Sequence, residues 1–157
     1  MNWIGMFPGQ GSQEIGMGKE LLTTHKDLLI DTFKESLGWS IDEVINSTDP
    51  EEIKKTNIAQ PYIFAISYCY GLETIKKMGK PSALIGHSLG EYTALALSGY
   101  FTYSDALKVI AVRGEEMQKA VEGSNTGMAA VLTSDMQKTL EEVRNLNSQD
   151  IEIWISN

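Results

Sequence analysis

Short apolar runs alternate with amphipathic segments along the chain, a pattern typical of an α/β protein. Residues 3–7 and 82–86 are mostly apolar and are each followed by turn-forming residues, which predicts two buried strands. Apolar residues surround most of the segment 58–78, which predicts a long and deeply packed helix between these strands. The first part of the chain therefore predicts a strand, a central helix and a second strand in that order.

Two further helices are indicated by their first residues. Ser40 and Glu43 have the spacing of a capping box, which predicts a short helix from residue 41. Thr102 followed by Asp105 predicts the start of a longer helix that reaches about residue 121. A further helix is predicted over residues 91–97, before Gly99.

The pattern changes after a run of small and polar residues at 123–127. Residues 128–132 and 151–155 each predict a strand, and residues 134–146 between them predict a helix. We therefore expect two structural units, residues 1–123 and a separate βαβ unit at residues 124–157.

Composition and charge narrow the function classes. The chain has 157 residues, of which 42% are apolar and 22% charged, as expected of a globular protein. Its net charge of −8 disfavours binding to nucleic acid or to an anionic membrane. No apolar run approaches the roughly 20 residues that span a bilayer, and the first residues lack a basic secretory signal, so we expect a cytoplasmic protein.

Metal and disulfide chemistry are not expected. Cys69 is the single cysteine, which excludes an internal disulfide, and we predict that it is a small core residue. His25 and His87 are the two imidazoles, which is too few for a typical transition-metal site. We expect neither a metal nor a redox cofactor.

The motif Gly86-His87-Ser88-Leu89-Gly90 follows the second predicted strand and precedes a predicted helix. In this context G-x-S-x-G is typical of a nucleophile elbow, a sharp turn that exposes a serine hydroxyl. The backbone N–H of Leu89, at the start of the helix, would face a developing oxyanion. The alternative is a serine that serves only the turn.

A glycine-rich loop, Gly9-Gln10-Gly11-Ser12-Gln13, follows the first predicted strand. It does not fit a phosphate-binding motif: the dinucleotide fingerprint needs glycine where Glu14 stands, and a Walker loop needs lysine where Met17 stands. Two interpretations remain, a structural turn or a source of backbone donors beside the serine.

Four motifs occur in an order that resembles the acyl carrier protein malonyltransferase family. They are Phe7-Pro8-Gly9-Gln10-Gly11-Ser12-Gln13, Gln60-Pro61, Gly86-His87-Ser88-Leu89-Gly90-Glu91-Tyr92, and Arg113-Gly114-x-x-Met117-Gln118. The resemblance implies an α/β-hydrolase-like parallel-sheet body followed by a ferredoxin-like small subdomain. Only the first βαβ unit of that subdomain would be present in this chain.

The resemblance also implies roles for individual residues. Ser88 would carry the acyl group as an ester, with the backbone N–H groups of Gln10 and Leu89 as the oxyanion hole. Arg113 would bind the free carboxylate of the malonyl group, a contact that suits the planar guanidinium. The alternative for Arg113 is a solvated helix arginine. The residues that would line or support the substrate pocket are Met117, His87 and Gln60.

The expected general base is absent from this sequence. In the family the catalytic histidine lies well downstream of the elbow, and no histidine follows Ser88 here. We do not assign the base to His87, because adjacent residues in a tight turn point in different directions, and His25 has the surroundings of a solvated surface residue. We therefore expect a fragment of a longer enzyme, or one of two assembling chains, that is inactive or nearly so alone.

The implied function is transfer of a malonyl group from malonyl-CoA, through Ser88, to the phosphopantetheine thiol of an acyl carrier protein in fatty acid or polyketide synthesis. Its partners would be malonyl-CoA, the carrier protein and the missing C-terminal portion or complementing chain. One alternative is a serine acyl hydrolase or thioesterase that uses the same elbow. The other is a noncatalytic fragment or subunit that only binds a partner chain.

Overall fold

The computed structural model describes residues 2–123, 127, 129, 131–147 and 152–155. They fall into two compact units, Met1–Ser124 and Asn125–Asn157. The first unit contains the strands β1 (Ile4–Phe7) and β2 (Ala83–Gly86) and the helices α1 (Leu21–Thr24), α2 (Phe33–Leu37), α3 (Ile41–Ile45), α4 (Thr56–Met78), α5 (Gly90–Leu97) and α6 (Tyr103–Val121). A π-helical turn, Asp27–Thr32, leads into α2, and a 3₁₀ turn, Glu52–Lys54, precedes α4.

The two strands form a parallel pair in which Ile4 lies opposite Ala83 and Phe7 lies opposite Gly86. Parallel neighbours need a crossover connection, and α4 lies within it. The α/β prediction is confirmed at this level. Because β1 and β2 end at the same edge, the loop after β1 and the turn after β2 lie side by side.

The central helix α4 is buried around most of its circumference in its first half, as its sequence predicts. Eight consecutive residues, from Ala59 to Ile66, are buried. Tyr62 and Phe64 are among the largest fully buried side chains. This helix begins at Thr56, two residues before the predicted start, so its first turn reaches the region of the candidate site.

The prediction that both strands are buried is wrong for alternate positions. Ile4, Met6 and Ile85 are 57%, 75% and 49% exposed, whereas Gly5 is buried. Side chains alternate between the two faces of a strand, and the face that carries these three residues is the more exposed one. An apolar sequence alone does not reveal which face is covered.

Helix caps follow the sequence in one case and depart from it in another. At the start of α6 the Thr102 hydroxyl accepts a hydrogen bond from the backbone N–H of Asp105 at 3.1 Å, which confirms the predicted cap. At the start of α3, Ser40 occupies the cap position but forms no side-chain cap. The Ser40 hydroxyl donates to the Asp42 carboxylate instead, so the predicted capping box with Glu43 does not form.

The second unit contains helix α7 (Met136–Asn147), close to the predicted span. The Asp135 carboxylate accepts from the Lys138 backbone N–H at 3.0 Å and so caps this helix. Residues 128, 130 and 151 of the two predicted strands lie outside the described residues, and the remaining residues of those strands are not in a strand. The Asn147 side chain bonds both backbone groups of Ile153, at 2.8 and 3.1 Å, which occupies the groups a strand ladder would need.

Within the described part of the chain, no helix is long and apolar enough to cross a membrane.

Candidate active site

The turn between β2 and α5 has the geometry of a nucleophile elbow. Ser88 has φ of +52°, the only positive φ at a non-glycine position among the described residues. This left-handed conformation costs an L-residue about 1–2 kcal/mol, so the surrounding structure must hold it in place. The serine side chain is exposed, two residues before the first residue of α5. The predicted strand, turn and helix around Ser88 are therefore confirmed.

Glycines allow the loop after β1 and the elbow to approach each other closely. A Cβ on Gly86 would lie 2.0 Å from the carbonyl carbon of Gly90, and a Cβ on Gly90 would lie 2.2 Å from the carbonyl oxygen of Phe7. A Cβ on Gly9 would lie 2.8 Å from His87 Nδ1. Real Cβ atoms essentially never approach other atoms this closely. These positions therefore require glycine, and the His87 ring lies against the Gly9 loop.

Arg113 reaches the elbow from α6. Its Nη2 donates a hydrogen bond to Ser88 Oγ at 3.1 Å, and its guanidinium carbon lies 5.8 Å from the centre of the Tyr92 ring. A cation at this distance from an aromatic face is attracted to it. The solvated-arginine interpretation does not fit, because the half-buried Arg113 side chain is held by specific partners next to the exposed serine.

A chain of side-chain amides extends from Arg113 to the loop after β1. Arg113 Nη1 donates to Gln60 Oε1, and because a guanidinium only donates, this contact fixes the orientation of the Gln60 amide. Gln60 Nε2 then donates to Gln10 Oε1 at 3.3 Å and to Met117 Sδ at 3.1 Å. The Gln10 Nε2 that remains donates to Thr56 Oγ1 at 3.2 Å. Four of the predicted site residues are thus joined with Ser88 in one network.

Of the two predicted oxyanion donors, Leu89 lies in the elbow itself and Gln10 lies in the loop after β1. Leu89 has a fully buried side chain and occupies the N-cap position of α5, where backbone N–H groups and the helix dipole favour negative charge. The Gln10 side chain is held by Thr56 and Gln60, so the backbone N–H is the part of Gln10 that could serve an oxyanion. Their role as oxyanion donors remains a prediction.

Three further residues belong to this site and were not among the predicted site residues. Gln118 Oε1 accepts from the Thr56 backbone N–H at 3.3 Å. A Cβ on Gly114 would lie 3.1 Å from the Thr56 carbonyl oxygen, so α6 and the start of α4 are close neighbours there. Gly114 and Gln118 lie in the motif that carries Arg113, which was a usable signal, whereas nothing in the sequence pattern singles out Thr56.

The two histidines lie in different surroundings. His25 was expected to be a solvated surface residue, but its side chain is only 14% exposed and its Nε2 lies 2.9 Å from Glu73 Oε1. Its partner is a carboxylate of α4, so it has a structural contact rather than a free surface position. His87 is exposed beside the Gly9 loop.

Neither a metal-binding cluster nor an apolar cavity defines this site. Among the described residues, no group of three or more His, Cys, Asp and Glu side chains could hold a metal ion. A cavity of about 520 Å³ lies between β1 and α4, lined mainly by apolar side chains such as those of Trp3, Ile63 and Met78. It includes neither Ser88 nor Arg113, so we assign the candidate site from the hydrogen-bonded network and not from cavity size.

Cys69 is fully buried, which confirms its predicted place in the core. Burial raises the pKa of its thiol to about 12, because a thiolate would lose hydration there, and Asp27 and Glu73 add to this effect. It is therefore not an activated nucleophile.

Comparisons with known proteins connect this geometry to a family. Residues 4–151 match the family described as acyl transferase domain. A malonyl CoA-acyl carrier protein transacylase from Bacillus subtilis (strain 168) is 41% identical over 135 residues, which are 84% of this chain and 42% of that protein. The protein of the same description from Haemophilus influenzae is 34% identical over 152 residues, which are 93% of this chain and 48% of that protein.

Solved structures agree with this result. The malonyl-CoA:ACP transacylase of Synechocystis sp. PCC 6803 aligns with a TM-score of 0.72 at 36% identity, over 76% of this chain and 41% of that chain. A malonyl-transacylase solved in complex with a type II PKS acyl-carrier protein aligns with a TM-score of 0.74 at 31% identity, over 91% of this chain and 48% of that chain. The chain spans about half the length of the curated relatives it matches.

Proposed function

The chain belongs to the acyl transferase domain family, and from this we propose that its native protein transfers a malonyl group from malonyl-CoA to an acyl carrier protein. The observation that carries the proposal is the 3.1 Å hydrogen bond between Arg113 Nη2 and Ser88 Oγ. It joins a cation suited to a carboxylate with a hydroxyl on an elbow suited to acyl transfer. The relatives named malonyl CoA-acyl carrier protein transacylase support the same cargo and acceptor.

In the first step Ser88 Oγ attacks the thioester carbonyl of malonyl-CoA. The new C–O bond forms and the hydroxyl proton passes to a general base. The C–S bond then breaks as the base returns that proton to the leaving coenzyme A sulfur. The carbonyl oxygen carries negative charge in the tetrahedral intermediate, where we assign the backbone N–H groups of Gln10 and Leu89 as donors. No metal or redox cofactor takes part in this proposal.

In the second step the phosphopantetheine thiol of the carrier attacks the Ser88 ester. The thiol proton passes to the base, a C–S bond forms, and the Ser88 oxygen leaves and regains a proton. We assign the base to a residue outside these 157 residues, because no histidine follows Ser88 in this sequence. On this proposal the 157 residues alone acylate slowly or not at all, since a serine hydroxyl without a positioned base is a weak nucleophile.

Selectivity for a carboxylated acyl group is assigned to Arg113. Malonyl-CoA would offer its free carboxylate to the guanidinium, in exchange for the contact with Ser88. An acetyl group would leave this half-buried cation without a carboxylate partner. Gln60 orients the guanidinium, while Met117 and His87 border the acyl group.

The proposal also covers the fold of each unit, the cellular location and the biosynthetic pathway. The parallel β1–β2 pair with α4 in its crossover supports an α/β-hydrolase-like body at residues 1–123. Residues 124–157 are assigned to the first part of a ferredoxin-like subdomain, on the family resemblance. We propose a cytoplasmic protein of fatty acid or polyketide synthesis, two settings that both occur in the descriptions of the relatives.

The proposal is tested by incubating the complete native protein with malonyl-CoA and measuring the mass of the peptide that contains Ser88. We expect a malonyl ester on Ser88, and the Ser88→Ala variant serves as the control. Carrier protein bearing phosphopantetheine is then added, and malonyl-carrier is separated from free malonate. Free malonate as the main product would identify a serine hydrolase or thioesterase instead.

The same assay on the 157 residues alone distinguishes the proposed enzyme from a noncatalytic fragment or subunit. We expect the malonyl ester on Ser88 in the complete protein but not in the 157 residues alone. Rapid labelling of the 157 residues alone would contradict the assignment of the base to another part of the protein. Absence of labelling in both would favour a noncatalytic role.

A further inference from the structure

The side chain of Gln10 is held at both ends of its amide. Its Oε1 accepts from Gln60 Nε2 at 3.3 Å, and its Nε2 donates to Thr56 Oγ1 at 3.2 Å. Gln10 itself is exposed in a loop whose neighbour Gly11 has φ of +102° and no atom near its Cβ position. Hydrogen bonds within the loop shape its backbone, and the two amide contacts of Gln10 tie the loop to α4.

Thr56 is in turn fixed from α6. It is the first residue of α4, so its backbone N–H has no partner within the helix, and the preceding residue supplies no side-chain cap. Gln118 Oε1 accepts from this N–H at 3.3 Å. Gly114 lets the two helices approach, with only 3.1 Å from its Cβ position to the Thr56 carbonyl oxygen.

Residues of α6 therefore reach the candidate site by two routes. Arg113 and Met117, four residues apart, contact Gln60, while Gly114 and Gln118, also four residues apart, contact Thr56. Gln60 contacts both the Arg113 guanidinium and the Gln10 side chain. Thr56 contacts Gln10 without contacting Arg113 in the hydrogen-bond network of the described residues.

We propose that Thr56 and Gln118 are positioning residues that hold the Gln10 loop where its backbone N–H can stabilise the oxyanion. This inference rests on the proposed acyl transfer through Ser88. Donors in an oxyanion hole must be fixed to about 0.5 Å to be effective, and a glycine-rich loop does not supply such rigidity without side-chain contacts. The Gln118–Thr56–Gln10 contacts supply it from the helix that also carries Arg113.

Loss of the oxyanion donor and displacement of Arg113 should have different effects on the acylation rates. The oxyanion forms on the thioester carbonyl, which malonyl-CoA and acetyl-CoA share, so loss of Thr56 Oγ1 should slow both substrates equally. Arg113 contacts only the group that differs between the two substrates. A variant that merely loosens α6 against α4 would displace Arg113 and change the preference for malonyl over acetyl.

The test measures single-turnover acylation of Ser88 in the complete native protein with malonyl-CoA and with acetyl-CoA. Thr56→Val removes the hydroxyl at nearly constant volume, and we expect about tenfold slower acylation with both substrates, less than the loss of a whole donor. The ratio of the two rates and the KM for malonyl-CoA stay as in the wild type. Thr56→Ser, which keeps the hydroxyl, restores the rate.

Thr74→Val is the matched control, since Thr74 lies on the same helix and its hydroxyl bonds only the Tyr70 carbonyl oxygen within the described network. It leaves both rates unchanged. Should Thr56→Val fail to fold, Gln118→Met removes the acceptor for the Thr56 N–H and Gln118→Glu keeps an oxygen there. The expected result is then slower acylation in Gln118→Met, with an unchanged ratio, and recovery in Gln118→Glu.

The outcomes distinguish this inference from the proposed function. Wild-type rates in Thr56→Val, or in Gln118→Met, would overturn the positioning role, and so would a changed ratio of malonyl to acetyl rates. A wild-type protein that forms no ester on Ser88 would overturn the proposed function itself, before any variant is compared.

Discussion

Arg113 Nη2 lies 3.1 Å from Ser88 Oγ, so the guanidinium on α6 donates a hydrogen bond to the hydroxyl on the elbow. Arginine has no acceptor, so the Ser88 oxygen accepts this bond and its own proton stays available for another partner. The two residues are 25 positions apart in the sequence, and they meet because α5 and α6 both pack against α4.

Replacement of Arg113 should change selectivity more than general acylation. In Arg113→Ala we expect malonyl transfer to fall by about two orders of magnitude, since a charge-assisted contact to the malonyl carboxylate is lost. Acetyl transfer falls much less. The measurement is the ratio of kcat/KM for malonyl-CoA to kcat/KM for acetyl-CoA in the complete native protein. An unchanged ratio would show that Arg113 does not bind the malonyl carboxylate.

Arg113→Lys is the conservative companion of that variant. Lysine keeps the charge but not the planar fork that bonds Ser88 and Gln60 together. We expect a rate of malonyl transfer between the rates of the wild type and of Arg113→Ala. Full activity in Arg113→Lys would mean that charge alone suffices.

The left-handed backbone at Ser88 should be measurable as stored strain. Glycine adopts φ of +52° without steric cost, whereas alanine does not. We expect Ser88→Gly to unfold with a free energy about 1 kcal/mol higher than Ser88→Ala, with no acylation in either variant. Urea unfolding of the two variants gives the comparison, and equal stabilities would show that the elbow relaxes when serine is removed.

Gly114 should not tolerate a side chain. A Cβ there would lie 3.1 Å from the Thr56 carbonyl oxygen and 3.2 Å from Asn57 Cα, and both are backbone atoms that cannot rotate away. We expect Gly114→Ala to lower the free energy of unfolding by about 1 kcal/mol, because the overpacking cost exceeds the gain in helix propensity. The adjacent exposed residue supplies the control, Glu115→Ala, which should unfold like the wild type.

Cys69 should be protected from thiol reagents in the native state. Burial raises its pKa to about 12, so the reactive thiolate is scarce at pH 8, and we expect slow alkylation by iodoacetamide that becomes fast in urea. The unfolded chain releases the thiol proton near its ordinary pKa, while the native chain keeps it. The free energy of unfolding should therefore fall as pH rises from about 9 toward 12.

Cys69→Ala tests that pH effect directly, because the variant has no thiol to titrate. We expect a shallower loss of stability across this alkaline range than in the wild type. Identical slopes for the two proteins would assign the effect to other groups, such as Tyr62, whose pKa is also raised to about 12 by burial.

Several features of this protein follow from the sequence because they depend on residues close together in the chain. The elbow at Ser88 is one, since an apolar strand, a glycine-flanked turn and a helix are all encoded within residues 82–97. The cap at Thr102 is another, because its partner Asp105 lies three residues away. The burial of α4 follows from its apolar residues on every side.

Other features were decided only by tertiary structure. The strands carry an apolar sequence, yet which of their faces is covered depends on elements elsewhere in the chain. His25 could not be assigned to Glu73 from sequence, nor Ser40 to Asp42 in preference to a capping box, because several partners compete for each polar group.

The hydrogen bonds of the amide network are the clearest example of contacts that the sequence does not predict. Its contacts join Arg113 to Gln60, Gln60 to Gln10 and Gln10 to Thr56, pairs that are 53, 50 and 46 positions apart. The motifs identified three of these residues, but they did not include Thr56 or show which amide donates to which. Hydrogen bonds act over about 3 Å, so packing of α6 against the start of α4 determines which distant side chains meet beside Ser88.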